Sequence, residues 1–347
     1  MKILVIQKKK IGDVLTSTVI FEAIKEKHPN WELNYLIFSN SFSVVKNNPF
    51  IDKLIVLEEK DSTSFIGFLK LVFQLRKEKY DVIIDVYSKF NSLLLGFLIG
   101  SKKRIAFEKN YSKILFTDLV KRNKKSFSIA TKAVEHRLIL LKPLGINFKI
   151  FKPKIFLSEN EKNEARLSLI NAGISTENPI VMISAIGSEE IKTYPLPYLA
   201  KVINEIALVD NIQILLNYIP FQRKEVEKLY SLCEKATQKK IFLNFYENDL
   251  RKFIAVTSCC NALIGNEGGA TNIAKAIEIS TFTLFSPRIL KQDWNMFENE
   301  TTNISIHVYD YFVPDPKQND FEKYRLFAPE LFKDKLIQFL NFNCRSL

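Results

Sequence analysis

Short runs of β-branched and other apolar residues alternate with longer stretches of helical periodicity along this chain, and the alternation runs through twice. That grammar admits few folds, because strand, crossover helix and returning strand build a mainly parallel sheet with helices on both faces. The first pass predicts strands over 3–6, 31–38, 54–57 and 82–86, with helices over 13–27, 65–77, 92–99 and 129–141. Lys142-Pro143-Leu144-Gly145 breaks the pattern, and 147–153 reads as a linker. The second pass opens with a helix over 159–172. It continues with strands over 180–184, 212–216, 262–265 and 281–285 and helices over 198–208, 223–236, 250–257 and 270–278. Pro329 and the spacing Leu331, Leu336, Phe339, Leu340 predict a closing amphipathic helix. At 347 residues the chain exceeds what one core usually holds, so two domains are expected, 1–154 and 155–325, with the helix in 326–347.

Charge separates the two halves. Residues 1–154 carry 29 Lys/Arg against 14 Asp/Glu, a balance of +15, whereas 155–347 carry 21 against 24, a balance of −3. A basic first half draws an anionic partner: a phosphorylated saccharide, an acidic membrane surface or nucleic acid. The bland alternative is a solvated lysine-rich surface. No nucleic-acid fold signature or stacking motif accompanies the charge, so nucleic acid is not the expected partner. The apolar run 93–99 falls far short of the roughly 20 residues a membrane helix needs. The opening MKILVIQKKK is too short for a signal-peptide core, so a soluble cytoplasmic protein is expected. Cys233, Cys259, Cys260 and Cys344 show no C-x-x-C spacing and read as small hydrophobes.

Three loops could carry chemistry. Gly12-Asp13 lies between the first strand and first helix, where Asp13 either caps the helix or serves as general base on a hydroxyl, with Gly12 admitting close backbone approach. Gly265-Asn266-Glu267-Gly268-Gly269-Ala270 opens a helix bearing Asn272 and Lys275. It is either a tight strand-to-helix turn or a cradle of unpaired amides for phosphate. Gly187-Ser188-Glu189-Glu190-Ile191-Lys192 follows the strand 180–184. Here Lys192 is either a plain surface lysine or a countercharge for a departing diphosphate, with Ser188 as hydroxyl donor. The dinucleotide pattern G-x-G-x-x-G is missing, and His28, His136 and His307 are scattered, so neither a nicotinamide cofactor nor a metal is expected.

In order and spacing these elements resemble the heptosyltransferases of glycosyltransferase family 9. The resemblance covers MKILVIQKKKIGDVLTSTVIFEAIKEKHP, YDVIIDVYSKFNSLLLGFLIGSKKRIAF, HRLILLKPLGI, KTYPLPYLAKVI and GNEGGATNIAKAI. It implies an α/β fold of GT-B type, two Rossmann-like doubly wound domains facing each other across a cleft, the first for the acceptor and the second for a nucleotide-sugar donor. It further implies a metal-free, inverting transfer with no cofactor. Asp13 matches the family's catalytic base, with Lys10 and Gly12 beside the acceptor. Ser188, Lys192, Gly268 and Gly269 match positions at the donor diphosphate, Lys192 sharing in catalysis, and Glu267 matches an acidic contact to the donor. ADP-heptose is the donor implied. An anionic lipopolysaccharide-type glycolipid is the acceptor implied, met at the inner face of the cytoplasmic membrane. Two departures stand out: Asn272 occupies the place of a histidine, and 217–225 lacks the family's nucleotide-reading stretch. Another sugar donor in capsule or O-chain synthesis, or a non-catalytic basic binding protein, remain as alternatives.

Overall fold

The computed structural model describes residues 1–58, 64–313, 315 and 317–344. It divides into two compact units, Met1–Phe156 and Leu157–Leu347.

In the first unit six strands, β1 (Lys2–Ile6), β2 (Glu32–Phe38), β3 (Lys53–Leu57), β4 (Val82–Asp85), β5 (Lys103–Phe107) and β6 (Asp118–Val120), form one sheet in the order β3-β2-β1-β4-β5-β6. All five pairings are parallel. The strand Lys-Ile-Leu-Val-Ile lies mid-sheet with both faces covered, which is why it is a continuous apolar run rather than an alternating one. Leu4, Ile6, Leu36 and Ile83 pack under the helices α3 (Phe65–Lys77) and α4 (Phe90–Ile99). The other face is covered by α1 (Ile11–Ser17), α2 (Val19–Lys27) and α5 (Thr131–Ile139), which contact one another.

Two expectations need correction here. The helix over 13–27 starts earlier, at Ile11, and breaks at Thr18. Thr16, Ser17 and Thr18 turn their hydroxyls back onto the carbonyls of Gly12, Asp13 and Leu15, a habit of Ser and Thr that bends helices. The strands β5 and β6 were not expected at all. β5 opens with Lys103 and Arg104, half-exposed near the sheet edge, so its sequence reads as a basic run rather than a strand.

The second unit holds β7 (Ile180–Ser184), β8 (Gln213–Asn217), β9 (Ala262–Asn266), β10 (Ser280–Leu284) and β11 (Asn303–Ile306) in the order β11-β10-β9-β7-β8, again all parallel. Its longer helices are α6 (Glu159–Asn171), α7 (Leu196–Ile206), α8 (Arg223–Leu232), α9 (Leu250–Thr257), α10 (Gly269–Ala276), α11 (Asp320–Leu326) and α12 (Lys333–Asn343). The helix over 223–236 stops at Cys233, and Pro329 begins a short 3-10 turn ahead of α12 instead of the helix itself. Leu336, Phe339 and Leu340 of α12 join the core of this unit beside Phe282 and Phe332. The edge strand β11 was also missed; four residues starting with asparagine give too little pattern.

Each chain path runs outward from the first strand of its sheet and then returns to the other side of it. The order therefore reverses between β1 and β4 in one sheet and between β7 and β9 in the other. Ligands of such sheets bind beyond the carboxyl ends of the strands at these reversals. Among the described residues no helix is long and apolar enough to cross a membrane.

Candidate active site

Beyond β1 the chain keeps Gln7 and Lys8 buried and passes through Lys10 in left-handed backbone, φ 59°, before α1 begins. A lysine there costs on the order of 1 kcal/mol, and it turns the chain sharply enough to start a helix at the switch point. Lys10 itself is exposed. Gly12 and Asp13 fall in the first turn of α1, so Asp13 is not the cap. Its Oδ1 accepts instead a hydrogen bond from Nη2 of Arg137 on α5 at 2.6 Å, with the Asp13 side chain 24% and the Arg137 side chain 11% exposed. Nη1 of Arg137 donates to the Ala133 carbonyl at 2.6 Å, while its buried Nε has no partner. The guanidinium is thus fixed to its own helix and to the carboxylate.

At the neighbouring strand end, Asp85 is fully buried. Its Oδ1 accepts from the Ser88 amide at 2.8 Å and its Oδ2 has no partner. Burial pushes this carboxyl up to about 6, against the nearby Ser92 hydroxyl, the Ser88 amide and the charge of Lys8. Burial likewise lowers Lys8, which the charge of Asp85 opposes.

In the second unit, Asn266 at the end of β9 ties the switch point together. Its Nδ2 donates to the carbonyls of Ser184 and Ala185, both at 2.9 Å, and its Oδ1 accepts from the Tyr194 amide at 2.6 Å. Gly265 has φ 127°, and a Cβ there would sit 2.5 Å from the Ser184 carbonyl oxygen, so only glycine lets β9 approach β7 this closely. Gly268, φ 154°, and Gly269 open α10 with nothing within 4 Å of an added Cβ. The first-turn amides of a helix lack intrahelical acceptors, so this turn presents donors to open space. Asn272, half-buried one turn on, bonds its amide to the Gly268 carbonyl.

The loop after β7 folds over Gly187, whose Cβ would overlap the Lys192 carbonyl. Ser188 is exposed, and Lys192 is half-buried with its Nζ 2.8 Å from Glu189. Burial raises the Glu267 carboxyl, which Lys192 counteracts and Glu189 reinforces. The Tyr194 amide on Asn266 thus ties the loop carrying Lys192 to the turn that carries Glu267 and the open amides. A cavity of about 680 Å³ adjoins the same loop, lined by Ser188, Glu189, Phe221, Glu225, Tyr324 and Arg325, a size common for ligand sites.

Among the described residues no cluster of three or more His, Cys, Asp and Glu side chains could hold a metal ion. The histidines have structural partners: His28 stacks on Trp31, His136 bonds the Asn123 carbonyl and His307 the Ser286 carbonyl.

Residues 68–316 match the sequence family described as glycosyltransferase family 9 (heptosyltransferase). The chain belongs to this family. As a family 9 glycosyltransferase it is an enzyme. The match takes in Ser188, Lys192 and Gly268 and begins beyond Asp13. The chain is 26% identical to lipopolysaccharide heptosyltransferase 1 of Campylobacter coli, over 82% of this chain and 84% of the relative. Two solved structures share its fold. The family 9 glycosyltransferase of Veillonella parvula superposes with a TM-score of 0.83 at 16% identity, covering 98% of this chain and 96% of that one. The E. coli ADP-heptose lps heptosyltransferase II superposes with a TM-score of 0.73 at 15% identity, covering 98% and 99%.

Three features of these two units carry no signal in the sequence. Arg137 stands in the stretch HRLILLKPLGI, but 124 positions separate it from Asp13 and no local pattern joins them. Asp85 ends an apolar strand and gives no sign that one of its oxygens is orphaned. The cavity beside Ser188 draws on three separate stretches, around 188, 221 and 324.

Proposed function

We propose that this enzyme transfers a heptose, with inversion and without a metal, from a nucleotide diphosphate donor such as ADP-heptose to an anionic lipopolysaccharide-type glycolipid. The observation that carries this reading is that, at the switch point of the second sheet, Asn266 binds the Tyr194 amide two residues beyond Lys192 and so ties that loop to the turn of Glu267, Gly268 and Gly269, which opens to free space. Such a group suits a diphosphate whose negative charge grows as it leaves. Lys192 would exchange Glu189 for the phosphates, and Ser188 would add a hydroxyl donor. Glu267 would hold hydroxyls of the donor, and Asn272 a polar edge.

The first unit supplies the base. The acceptor hydroxyl oxygen bonds to the anomeric carbon, its proton passes to the Asp13 carboxylate, and the bond to the diphosphate oxygen breaks with its electron pair retained by the diphosphate. Gly12 and Lys10 flank the acceptor, and the basic surface of this unit attracts the acceptor's anionic groups. Asn272 in the place of a histidine supports a second reading in which the same chemistry serves a different donor sugar.

The test is a panel of nucleotide sugars screened by thermal shift with and without EDTA, followed by transfer assays on Asp13→Ala. The true donor at a hundred times its Kd stabilises the protein by about 2.7 kcal/mol, with or without EDTA. Asp13→Ala keeps that stabilisation and loses transfer by roughly 10²-fold or more. Parental activity in Asp13→Ala, or a need for Mg²⁺, overturns the mechanism.

A further inference from the structure

The helix α3 lies over the apolar core of the first unit yet turns a second set of large apolar side chains outward. Leu71, Val72 and Leu75 are buried beneath it, while Phe65, Ile66 and Phe73 are 75%, 66% and 63% exposed. At the helical repeat, these three and Lys70, Arg76 and Lys77 fall within one arc of roughly 140°. The sequence of α3 contains no Asp or Glu, and among the described residues none of the three cations is ion-paired. A face that only needed solubility would carry carboxylates among the lysines and few bare phenylalanines.

The neighbouring helices also expose apolar side chains. α4 packs against α3, and the short helix Ser112–Leu115 packs against α4. From these project Phe97, with the Arg104 guanidinium 5.6 Å from its ring centre, and Ile114, which is 85% exposed. Lys102 is exposed, and so is Lys113, whose Nζ lies 3.4 Å from Glu108. Aromatic and aliphatic side chains interleaved with cations are what a helix lying in a lipid interface presents, with rings among the acyl chains and ammonium groups among phosphates. A protein partner would need acidic groups placed against each cation, whereas an anionic bilayer supplies them at any position.

We infer that α3 and its neighbours dock this enzyme onto an anionic lipid surface. The balance of +15 in residues 1–154 gives the long-range attraction, and Phe65, Ile66 and Phe73 give the contact. This assignment concerns a surface of the first unit and does not depend on the transfer chemistry.

The test is flotation of the intact protein with vesicles of phosphatidylcholine, with and without an equal share of phosphatidylglycerol. The parent partitions to the anionic vesicles and hardly to the neutral ones. Lys70→Glu/Arg76→Glu/Lys77→Glu lowers that partition by roughly a hundredfold, and Phe65→Ser/Phe73→Ser by about tenfold or more. Both variants are exposed changes, so circular dichroism and the unfolding midpoint should match the parent. Failure of the parent to bind anionic vesicles overturns the inference. So does binding that the phenylalanine variant leaves intact, because charge alone would then suffice without this face. A concentration-dependent dimer in sedimentation velocity that the phenylalanine variant disperses also overturns it, assigning the face to a second copy of the chain.

Discussion

The ion pair between Asp13 and Arg137 places a fixed cation against the carboxylate proposed as the base, leaving its second oxygen for the acceptor. Arg137 is then a positioning residue. Arg137→Gln should lower kcat by roughly 10–100-fold while leaving KM for the donor unchanged, and Arg137→Lys should recover part of the loss, since it keeps the charge but not the fork. A parallel rise in donor KM in steady-state assays would mean general loosening instead. Asp85 answers to a different measurement. Its carboxyl, ordinarily near 4, stands at about 6 in the folded chain. Between those values the folded protein holds a proton that the unfolded chain has released, so Asp85 reduces stability as pH rises through the window, by roughly 3 kcal/mol in all. Asp85→Asn should therefore gain on the parent in urea midpoint from pH 4 to pH 7, and an advantage that stays flat would refute the assignment.

Among the elements, the strands were more legible than the turns that make them useful. The ends of β7 and α9 are those the apolar pattern predicts, Ile180–Ser184 and Leu250–Thr257, because a buried strand and an amphipathic helix each write a period into the sequence. The break at Thr18 and the strands β5, β6 and β11 escaped notice. Side-chain to backbone bonds cause the first; β6 and β11 are short edge strands that need no apolar alternation, and β5, though paired on both sides, opens on Lys103 and Arg104. The close approach of β9 to β7 rests on Gly265, so Gly265→Ala should cost on the order of 3 kcal/mol in chemical denaturation. It should also weaken donor binding, because the Ser184 and Ala185 carbonyls held by Asn266 set the loop that carries Lys192.

For the whole molecule, the division of charge is a property no single site explains. The +15 of residues 1–154 against −3 of the rest predicts that salt acts more on one substrate than on the other. Raising ionic strength well past physiological values should increase KM for the anionic acceptor several-fold, as the Debye length falls below about 8 Å, and KM for the donor by less. Equal sensitivity of both constants would show that the basic half does not select the acceptor.

The sequence by itself determined the fold class and the repetition of its strand-and-helix grammar, seen as two parallel sheets. Each of these is written in local period, in proline and glycine, and in residues close together along the chain. Tertiary structure alone decided that Asp13 pairs with Arg137, that Asp85 keeps an orphan oxygen, and that α3 shows its phenylalanines to solvent. The physical reason is that contact partners and burial are set by packing between distant segments, and an apolar residue looks the same in sequence whether it fills a core or faces outward.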